Sequence, residues 1–513
     1  MAQALELITG RLPVIAAAIL VCAAAYLLPR LANLVRLYNI PVVGKEIGGE
    51  EKRRNAYLAG ARKLYNDGYK KFKDTAFRIS TSRTSSVIVL PPKYLPELSK
   101  LPDTVLSMTA AVDESMETKY LKIDTYIPVV PHLITRQLTP ALIRLNPMIS
   151  REVSELLKIE IPPSDDWKEY NAHDKLLRII TQVSGRLFVG PELSRNETYI
   201  DTAINYTMDV MKGQRAVQKM RPWKRPFMVS KMPEIKNLYK RIDEADAFLA
   251  PLVTLRKKMT SEGFEGERPD DMLQWLIDAQ EKFDDPVSRD TAKVQLGLTF
   301  AAIHTTTLTA MNAFYNLAAS QEFVGVLRQE IEQVLADNDG LFTSRALQAM
   351  KKLDSFLKET LRMNPATMAA FQRKVLQPFS LTNGQQIPAG VTVEVPAVAV
   401  NFDPTIFPEP ERFDPLRFTK VVEQAAGSEG TKFAALNQFV SVNQNSLTFG
   451  YGRHACPGRF FAANEIKMLI GHTVLHYDIK LVDGVSDRYP NLEFAHMSIP
   501  DPSKNLLFRK RTT

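Results

Sequence analysis

The sequence predicts a mainly α-helical protein with a small β-sheet region, an α+β architecture. Apolar residues recur at helical spacing through most of the middle of the chain, most clearly from Asp290 to Ala318. Strand signals are short and lie near residues 77–90 and 386–395. No Gly/Ser-rich or Pro-rich linker separates two independent cores. We therefore expect residues 46–513 to form one domain.

Composition excludes several protein classes. The 513 residues are 45% hydrophobic and 24% charged, which rules out a disordered, a collagen-like or a polytopic membrane protein. The net charge of +8 is spread along the chain without a dense basic stripe or a nucleic-acid reader motif. We therefore expect no nucleic-acid partner, whereas a mildly basic face suits an anionic membrane or an acidic protein.

The first part of the body predicts one helix and one hairpin. Apolar residues recur at helical spacing from Glu50 to Phe72. Two strand-like runs follow, Phe77–Thr81 and Ser86–Leu90, and Pro91-Pro92 closes the second. We therefore expect an amphipathic helix that leads into a β-hairpin.

The N-terminal segment predicts a membrane anchor. Residues 12–28 carry no charge, and seventeen apolar residues are at the low end for spanning about 30 Å of hydrocarbon. A cleaved signal peptide is the alternative, since Ala23-Ala24-Ala25 could be a cleavage site. The apolar stretch, however, is longer than the usual ~7–15 residues and has no clear positive charge before it. We therefore expect residues 12–28 to span a membrane, with 1–11 in the lumen and 29–45 as a hinge.

Charges flanking this segment predict its orientation. Arg30, Arg36 and Lys45 follow the apolar run, and Arg11 alone precedes it, which favours a cytoplasmic body. Two sequons, at Asn196 and Asn205, make the orientation testable, because a lumenal body would expose them to glycosylation.

Only two cysteines occur, Cys22 and Cys456, which excludes a disulfide scaffold, a zinc finger and a ferredoxin. Cys456 lies in the segment Phe449–Gly458 (FGYGRHACPG), directly before a helical run. Glycines on both sides allow a tight turn and the close approach of a flat macrocycle, and a helix N-terminus stabilises a thiolate. The alternative is a buried free cysteine in a Gly-rich turn.

The segment Phe449–Gly458 resembles the haem-binding loop of the cytochrome P450 superfamily, in which a cysteine thiolate is the proximal ligand of haem iron. This resemblance implies that Cys456 binds the iron of haem b and that Phe449 and Gly458 line the cofactor. His454 stands where the family usually has an arginine that binds a haem propionate, and histidine can donate the same hydrogen bond. The implied fold places the haem between the long central helix and the helix after Cys456.

A second match concerns a Glu-x-x-Arg pair. Glu359 and Arg362 share one helix face, a spacing that alone carries little information because it recurs elsewhere in the chain. The segment Phe407–Phe413 (FPEPERF) and the cysteine loop follow in the order of the family. By resemblance, Glu359, Arg362 and Arg412 form a buried structural triad that locks the haem-binding core.

The long helix contains Ala301–Thr306 (AAIHTT), which resembles the family's oxygen-activation segment, where a threonine bridges a local gap in the helix. Thr305 matches that threonine, whose hydroxyl relays protons from water to dioxygen. His304 replaces the family's acid, and imidazole is suited to proton transfer near neutral pH. The alternative is a mid-helix threonine that hydrogen-bonds to a backbone carbonyl.

Further haem contacts are implied at His132, Arg136 and Arg373. Arg136 and Arg373 match propionate-binding positions of the family, and His132, one helical turn before Arg136, stands in place of a tryptophan. The alternative for each arginine is a solvated surface side chain. The segment from Arg215 to Phe227 mixes basic and aromatic residues, which suits a membrane surface or a solvated loop equally well. In the family this segment lies between the helices that cap substrate access.

The resemblance covers the chain from about residue 40 to the end. It implies a monooxygenase of the endoplasmic-reticulum membrane that oxidises a lipophilic small molecule. Such an enzyme uses O2 and two electrons from NADPH-cytochrome P450 reductase. The sequences of the cysteine loop and of Ala301–Thr306 most resemble those of fungal members of the family that act in secondary metabolism, especially on terpenoids, including diterpenoids. Sterols, fatty acids, alkaloids and xenobiotics remain alternative substrates. A haem-thiolate isomerase or dehydratase without O2 and reductase, and a non-catalytic haem carrier or sensor, are the alternatives from other classes. The expected pocket-lining residues are Phe300, Ala301, Ala302, Thr305, Ala366, Thr367 and Met368.

Overall fold

The computed structural model describes residues 35–261, 268–283, 285–425 and 430–512, together with separate positions between residues 14 and 28. Helices dominate, as the sequence predicts. The α-helices of eight or more residues are Glu50–Ala59, Arg62–Lys71, Met108–Met116, Thr139–Glu160, Ala172–Phe188, Glu197–Lys219, Pro233–Ser261, Met272–Ala279, Thr291–Ala319, Gln321–Ala336, Lys351–Met363, Arg417–Gln424 and Arg459–His476. Shorter ones are Leu95–Leu98, Thr118–Leu121, Val129–Leu133, Pro191–Ser194, Arg225–Met228, Pro286–Arg289, Ser344–Ala349, Ala397–Asn401 and Gly430–Leu436.

The β-structure is small, and within the described ranges it forms four separate sheets. In chain order the strands are β1 Phe77–Ile79, β2 Val87–Val89, β3 Leu106–Ser107, β4 Lys168–Asn171, β5 Ala370–Val375, β6 Phe379–Ser380, β7 Gln386–Ile387, β8 Thr392–Val395, β9 Tyr477–Leu481, β10 Asn491–Phe494, β11 Met497–Pro500 and β12 Asn505–Lys510. The largest sheet has the order β1-β2-β8-β5-β3, in which only β2 and β8 are parallel. The others are β4-β12-β9 and the hairpins β6-β7 and β10-β11. The mainly α prediction with a small β region is confirmed.

The predicted hairpin is confirmed, but the single helix before it is wrong. β1 and β2 pair antiparallel, with Phe77 opposite Val89. Instead of one helix from Glu50 to Phe72, the chain forms Glu50–Ala59 and Arg62–Lys71. Gly60 has φ +154°, a conformation that ends the first helix and that side chains rarely adopt. The apolar spacing continues across this break, so periodicity alone did not reveal it.

Thr291–Ala319, called here the central helix, organises the core. The carboxylate of Asp290 accepts a hydrogen bond from the Lys293 N–H at 3.1 Å and so caps its N-terminus. The helix packs against Ala172–Phe188, Glu197–Lys219, Lys351–Met363 and Arg459–His476. This central position requires apolar or small residues on nearly every face, which explains its largely apolar sequence.

Of the predicted anchor, residues 12–28, the structure describes only separate positions, so the anchor as a whole lies outside what it can test. Among the helices that the structure describes, none has the length and apolar character needed to cross a bilayer.

Candidate functional site

The loop that carries Cys456 is shaped by two glycines and ends on a helix. Gly450 and Gly452 have φ +81° and +68°, and a Cβ on Gly452 would come within 3.1 Å of the Ser99 Cβ. The Cys456 N–H donates to the Phe449 carbonyl at 2.8 Å. This bond turns the loop back so that Cys456 stands just before Arg459–His476, called here the cysteine-loop helix.

The environment of the Cys456 thiol combines burial with donors for an anion. Burial raises the pKa of Cys456, whereas the backbone N–H groups of Gly458 and Arg459 and the Arg459 charge act in the opposite direction. Arg459 also donates to the Cys456 carbonyl at 2.7 Å, which fixes the loop on the helix. A thiol with backbone donors aimed at it becomes a thiolate when a metal cation binds. At Gly458 an added Cβ would meet nothing within 4 Å, so the backbone is open to a close-lying ligand.

A buried cluster of charges connects the Lys351–Met363 helix with the segment before the cysteine loop. The Glu359 carboxylate accepts two hydrogen bonds from Arg362, at 2.7 and 2.8 Å. It also accepts from Arg417 Nε at 3.1 Å and from the Asp414 N–H at 3.0 Å. Side-chain exposure is 0% for Glu359, 3% for Arg362 and 10% for Arg417, so two guanidinium groups share one carboxylate away from water.

The prediction that Arg412 completes this triad is wrong. Arg412 pairs with Glu409 at 3.3 Å on the surface, where their side chains are 69% and 72% exposed. Arg417 takes the buried position and donates to the backbone carbonyls of Pro408 and Arg412 at 2.6 and 2.8 Å. Both arginines precede a phenylalanine, and the sequence reasoning chose the first Arg-Phe pair instead of Arg417-Phe418.

Arg373 is a buried cation in β5. Its guanidinium lies 4.3 Å from the centre of the Phe371 ring and donates to the Gln372 carbonyl at 2.8 Å. Burial lowers the pKa of Arg373 to about 10, and no carboxylate in the described part of the chain lies within ion-pair distance of it. Phe371 has φ +53° beside a register shift in β5, and its ring packs edge-on at 6.3 Å against Tyr451 of the cysteine loop. This strained bulge therefore brings near the loop a buried guanidinium on which the charge of Asp103 acts but with which no described carboxylate forms an ion pair.

His454 and its neighbour Arg453 both contact the carboxylate of Asp103, and the sequence pointed to neither Arg453 nor Asp103. Asp103 Oδ1 lies 3.0 Å from His454 Nε2 and 2.8 Å from Arg453 NH2. Burial alone would raise the pKa of Asp103, but these two partners lower it overall. The sequence had no signal for Asp103, because only the fold brings it, some 350 residues away, to the loop.

His132 lies on the short helix Val129–Leu133 and Arg136 on the π-helical turn Ile134–Leu138, which continues into Thr139–Glu160, and both side chains are exposed. The His132 ring packs edge-on against Phe283 at 5.5 Å. Arg136 forms no ion pair with any residue that the structure describes. The predicted spacing of one helical turn is present, and the Arg136 guanidinium remains available for an anion.

On the central helix, Ala301 and Thr305 lie one turn apart and are exposed in the middle of an otherwise buried element. Thr305 Oγ1 donates to the Ala301 carbonyl at 2.7 Å, and the helix is continuous, so the local gap expected from the resemblance is not open. Ala302 and Phe300 are partly exposed, as are Ala366 and Thr367, whereas Met368 is buried. An accessible recess therefore runs along the Ala301 and Thr305 face.

His304 contacts a neighbouring helix. Its Nε2 lies 3.0 Å from the Ile204 carbonyl of Glu197–Lys219, so the imidazole donates this proton to the backbone. Burial lowers the pKa of His304, which keeps the ring neutral at pH 7. Only Nδ1 is then free to accept a proton.

The residues present fit a haem. A planar dianionic macrocycle with a central cation needs an anionic axial ligand and guanidinium or imidazole donors for its carboxylates. Cys456, with backbone N–H groups aimed at its sulfur, provides the first. Arg373, which is buried without a carboxylate partner, provides the second. The sites are therefore compatible in charge and in donor type with the predicted cofactor.

Comparison with known proteins gives consistent matches. The cytochrome P450 family model matches residues 131–508. Cytochrome P450 monooxygenase ATR3 of Stachybotrys chlorohalonatus is 45% identical over 427 residues, which cover 83% of this chain and 89% of that protein. Cytochrome P450 monooxygenase braC of Annulohypoxylon truncatum is 34% identical over 505 residues, 97% of this chain and 99% of that protein. Cytochrome P450 monooxygenase BOA4 of Botryotinia fuckeliana is 34% identical over 451 residues, 87% of this chain and 88% of that protein.

Proposed function

The chain belongs to the cytochrome P450 family, a family of haem-thiolate monooxygenases, and we propose that it oxidises a lipophilic small molecule with electrons from an NADPH-dependent reductase. The reaction is R–H + O2 + NADPH + H⁺ → R–OH + H2O + NADP⁺. The observation that carries this assignment is Cys456, the only cysteine within the matched residues 131–508, held at a helix N-terminus by backbone donors. When bound, the haem supplies the reductive cleavage of dioxygen, which thiolate donation favours.

The chain's own residues position the cofactor and control protons. Cys456 would supply the sulfur ligand of the haem iron, and the N–H groups of Gly458 and Arg459 would stabilise its negative charge. Arg373 and His454, with Arg136 and His132 as further candidates, hold the propionates by charge-assisted hydrogen bonds. Glu359, Arg362 and Arg417 keep the segment before the cysteine loop in place.

Thr305 is proposed to relay protons to dioxygen. Its hydroxyl donates to the Ala301 carbonyl at 2.7 Å, and its oxygen keeps lone pairs that can accept a proton from water in the recess.

We expect Thr305→Ala to divert most reducing equivalents from NADPH into hydrogen peroxide while haem content and substrate affinity persist. The ratio of product to NADPH consumed measures this coupling. Thr309→Ala is the matched control, because Thr309 makes the same kind of bond one turn later, to the Thr305 carbonyl at 2.9 Å. A Thr305→Ala enzyme that couples as well as the Thr309→Ala enzyme contradicts the relay.

His304 is the weaker candidate for this relay. The carboxylate usual in the family can both bind and release a proton, whereas the neutral His304 ring already donates one N–H to Ile204. If Nδ1 accepts a proton from the relay, His304→Ala lowers coupling in the same way as Thr305→Ala. If the ring only holds the two helices together, coupling stays normal and substrate affinity falls.

The substrate is proposed to be a fungal secondary metabolite of the terpenoid type. The mostly small and apolar character of Phe300, Ala301, Ala302 and Ala366 supports a lipophilic substrate. The similarity to fungal monooxygenases such as ATR3 and braC supports a place in a fungal pathway. Untargeted comparison of metabolites from cells with and without the chain tests this function, because an accumulated precursor names the substrate. Conversion of that precursor by the purified enzyme should require NADPH and a reductase, and turnover without them would favour an isomerase or dehydratase.

The body is proposed to face the cytosol from the endoplasmic-reticulum membrane, where a reductase can supply NADPH-derived electrons. Asn196 caps the helix Glu197–Lys219 through its side-chain oxygen and is exposed. Because it is exposed, its sequon would be accessible to a glycosyltransferase if the body were lumenal. We expect membrane association that resists carbonate and is lost on deletion of residues 1–36, and no glycan at Asn196 or Asn205. A mobility shift of the full-length protein on endoglycosidase treatment contradicts this orientation.

A further inference from the structure

Four arginines lie where the first two helices, the end of Glu197–Lys219 and the turn between β10 and β11 meet. This cluster, called here the arginine mouth, consists of Arg54, Arg62, Arg215 and Arg221. The turn between β10 and β11 is bonded to the segment between the first two helices, through Ala495 N–H to the Leu58 carbonyl at 3.1 Å and Ala61 N–H to the Ala495 carbonyl at 2.9 Å. Arg54 donates to the carbonyl of Gln218, near the end of Glu197–Lys219.

The charges of the arginine mouth do not balance. Arg62 pairs with Glu493 at 2.6 Å. Arg54 and Arg221 share Glu51 at 3.8 and 3.9 Å. These two glutamates leave an excess of two positive charges among the four arginines, so the mouth attracts anions.

Among the four arginines, Arg215 is the one that has no carboxylate partner in the described part of the chain. Its guanidinium lies 5.4 Å from the centre of the Phe494 ring, and its buried Nε has no hydrogen-bond partner among the described residues. The side chain is half-buried between its helix and the β10–β11 turn. Because the side chain is only half-buried and no described carboxylate pairs with it, its terminal N–H groups are suited to a ligand that accepts hydrogen bonds.

The elements that carry the arginine mouth also contact the segments that line the recess at Thr305. The β10–β11 turn bonds to the segment after the Glu359 helix, through Met368 N–H to the His496 carbonyl at 2.7 Å and Ser498 N–H to the Ala366 carbonyl at 3.0 Å. The helix that carries Arg215 also touches the central helix, at the contact of Ile204 with His304. Arg215 is eleven residues beyond Ile204, a rise of about 16 Å along the helix.

We propose that Arg215 binds the carboxylate of the substrate, so that the enzyme oxidises a lipophilic acid whose apolar body extends from the arginine mouth towards Thr305. The planar guanidinium fork matches a carboxylate in a bidentate manner. A neutral lipid would leave the excess positive charge of the arginine mouth uncompensated. This inference rests on the proposed function, since it names the substrate class of the same site.

The test compares acids with their own methyl esters on the full-length haem-loaded enzyme. The probes are dodecanoic, hexadecanoic and abietic acids, each paired with its methyl ester. The readout is the substrate-induced spin-state shift of the Soret band, which gives a dissociation constant without turnover. We expect at least one acid to bind about tenfold or more tightly than its ester, because only the acid can accept charge-assisted hydrogen bonds. Arg215→Gln should remove this preference, and Arg215→Lys should keep part of it.

Lys212→Gln is the matched control, because it removes the same charge from an exposed position three residues earlier on the same helix. The acid preference should survive in this variant. Equal affinity for acid and ester in every pair, no shift from any acid, or an equal loss in Lys212→Gln and Arg215→Gln overturns the proposal. The spectrum of the reduced carbon monoxide complex distinguishes failure of this proposal from failure of the proposed function. If the spectrum is of the thiolate type, the outcomes above overturn only the role of Arg215. If the thiolate-type spectrum is absent, the proposed function is overturned.

Discussion

Replacing Cys456 by alanine is expected to abolish the red-shifted Soret band of the reduced carbon monoxide complex and to reduce monooxygenase turnover to background. Only a strong anionic sulfur donor produces that band, and no other cysteine lies between residues 23 and 513. The backbone donors of Gly458 and Arg459 remain in this variant, but they have no sulfur to stabilise. Spectra of the purified full-length protein, with haem content measured separately, check this result.

Cys22→Ala is the matched control for this experiment. Cys22 lies in the N-terminal apolar run, so its removal should leave both the spectrum and turnover unchanged. A normal spectrum in Cys456→Ala would disprove the assignment of the axial ligand. Loss of the spectrum in both variants would show that the effect is not specific to Cys456.

Removing the carboxylate of Glu359 is expected to produce the largest loss of stability. Glu359→Gln leaves the buried guanidinium groups of Arg362 and Arg417 without a counter-charge, which costs about 3–5 kcal/mol in the free energy of unfolding. Arg417→Ala should cost less, about 1.5–3 kcal/mol, because Arg362 still compensates Glu359. Urea unfolding of the haem-loaded protein measures both changes, and haem content after expression reports variants that are too unstable to purify.

Arg412→Ala is the control that distinguishes the structure from the sequence-based triad. Arg412 and Glu409 form an exposed pair, so this substitution should change the free energy of unfolding by no more than about 0.5 kcal/mol. Its carbonyl, which accepts from Arg417, is unaffected by removal of the side chain. An Arg412→Ala variant that loses as much stability as Glu359→Gln would contradict the placement of Arg417.

Local patterns could be predicted because their physical cause is local. The central helix appears within one residue of its expected bounds, since Asp290 and a long apolar sequence determine it. The turn at Gly450 and the helix after Cys456 likewise depend on residues that are adjacent in the sequence. The sequence therefore indicated where the thiol lies and which helix follows it.

Contacts between distant segments could not be predicted in the same way. Arg412 and Arg417 are both followed by phenylalanine, and only the path of the chain around Pro408 decides which guanidinium reaches Glu359. Asp103 joins His454 across some 350 residues, and Arg215 meets Phe494 across nearly 280. No spacing rule in a single sequence encodes such pairs, because burial and charge compensation in the folded chain determine them.

Oxygen labelling tests the central claim most directly. The purified enzyme, its reductase and NADPH are given isotopically labelled dioxygen with the precursor that accumulates in cells lacking the chain. The account predicts that the product carries one labelled oxygen atom per oxidation and that at least one NADPH is consumed for each. A product that forms without label, or without NADPH, would contradict the assignment as a monooxygenase.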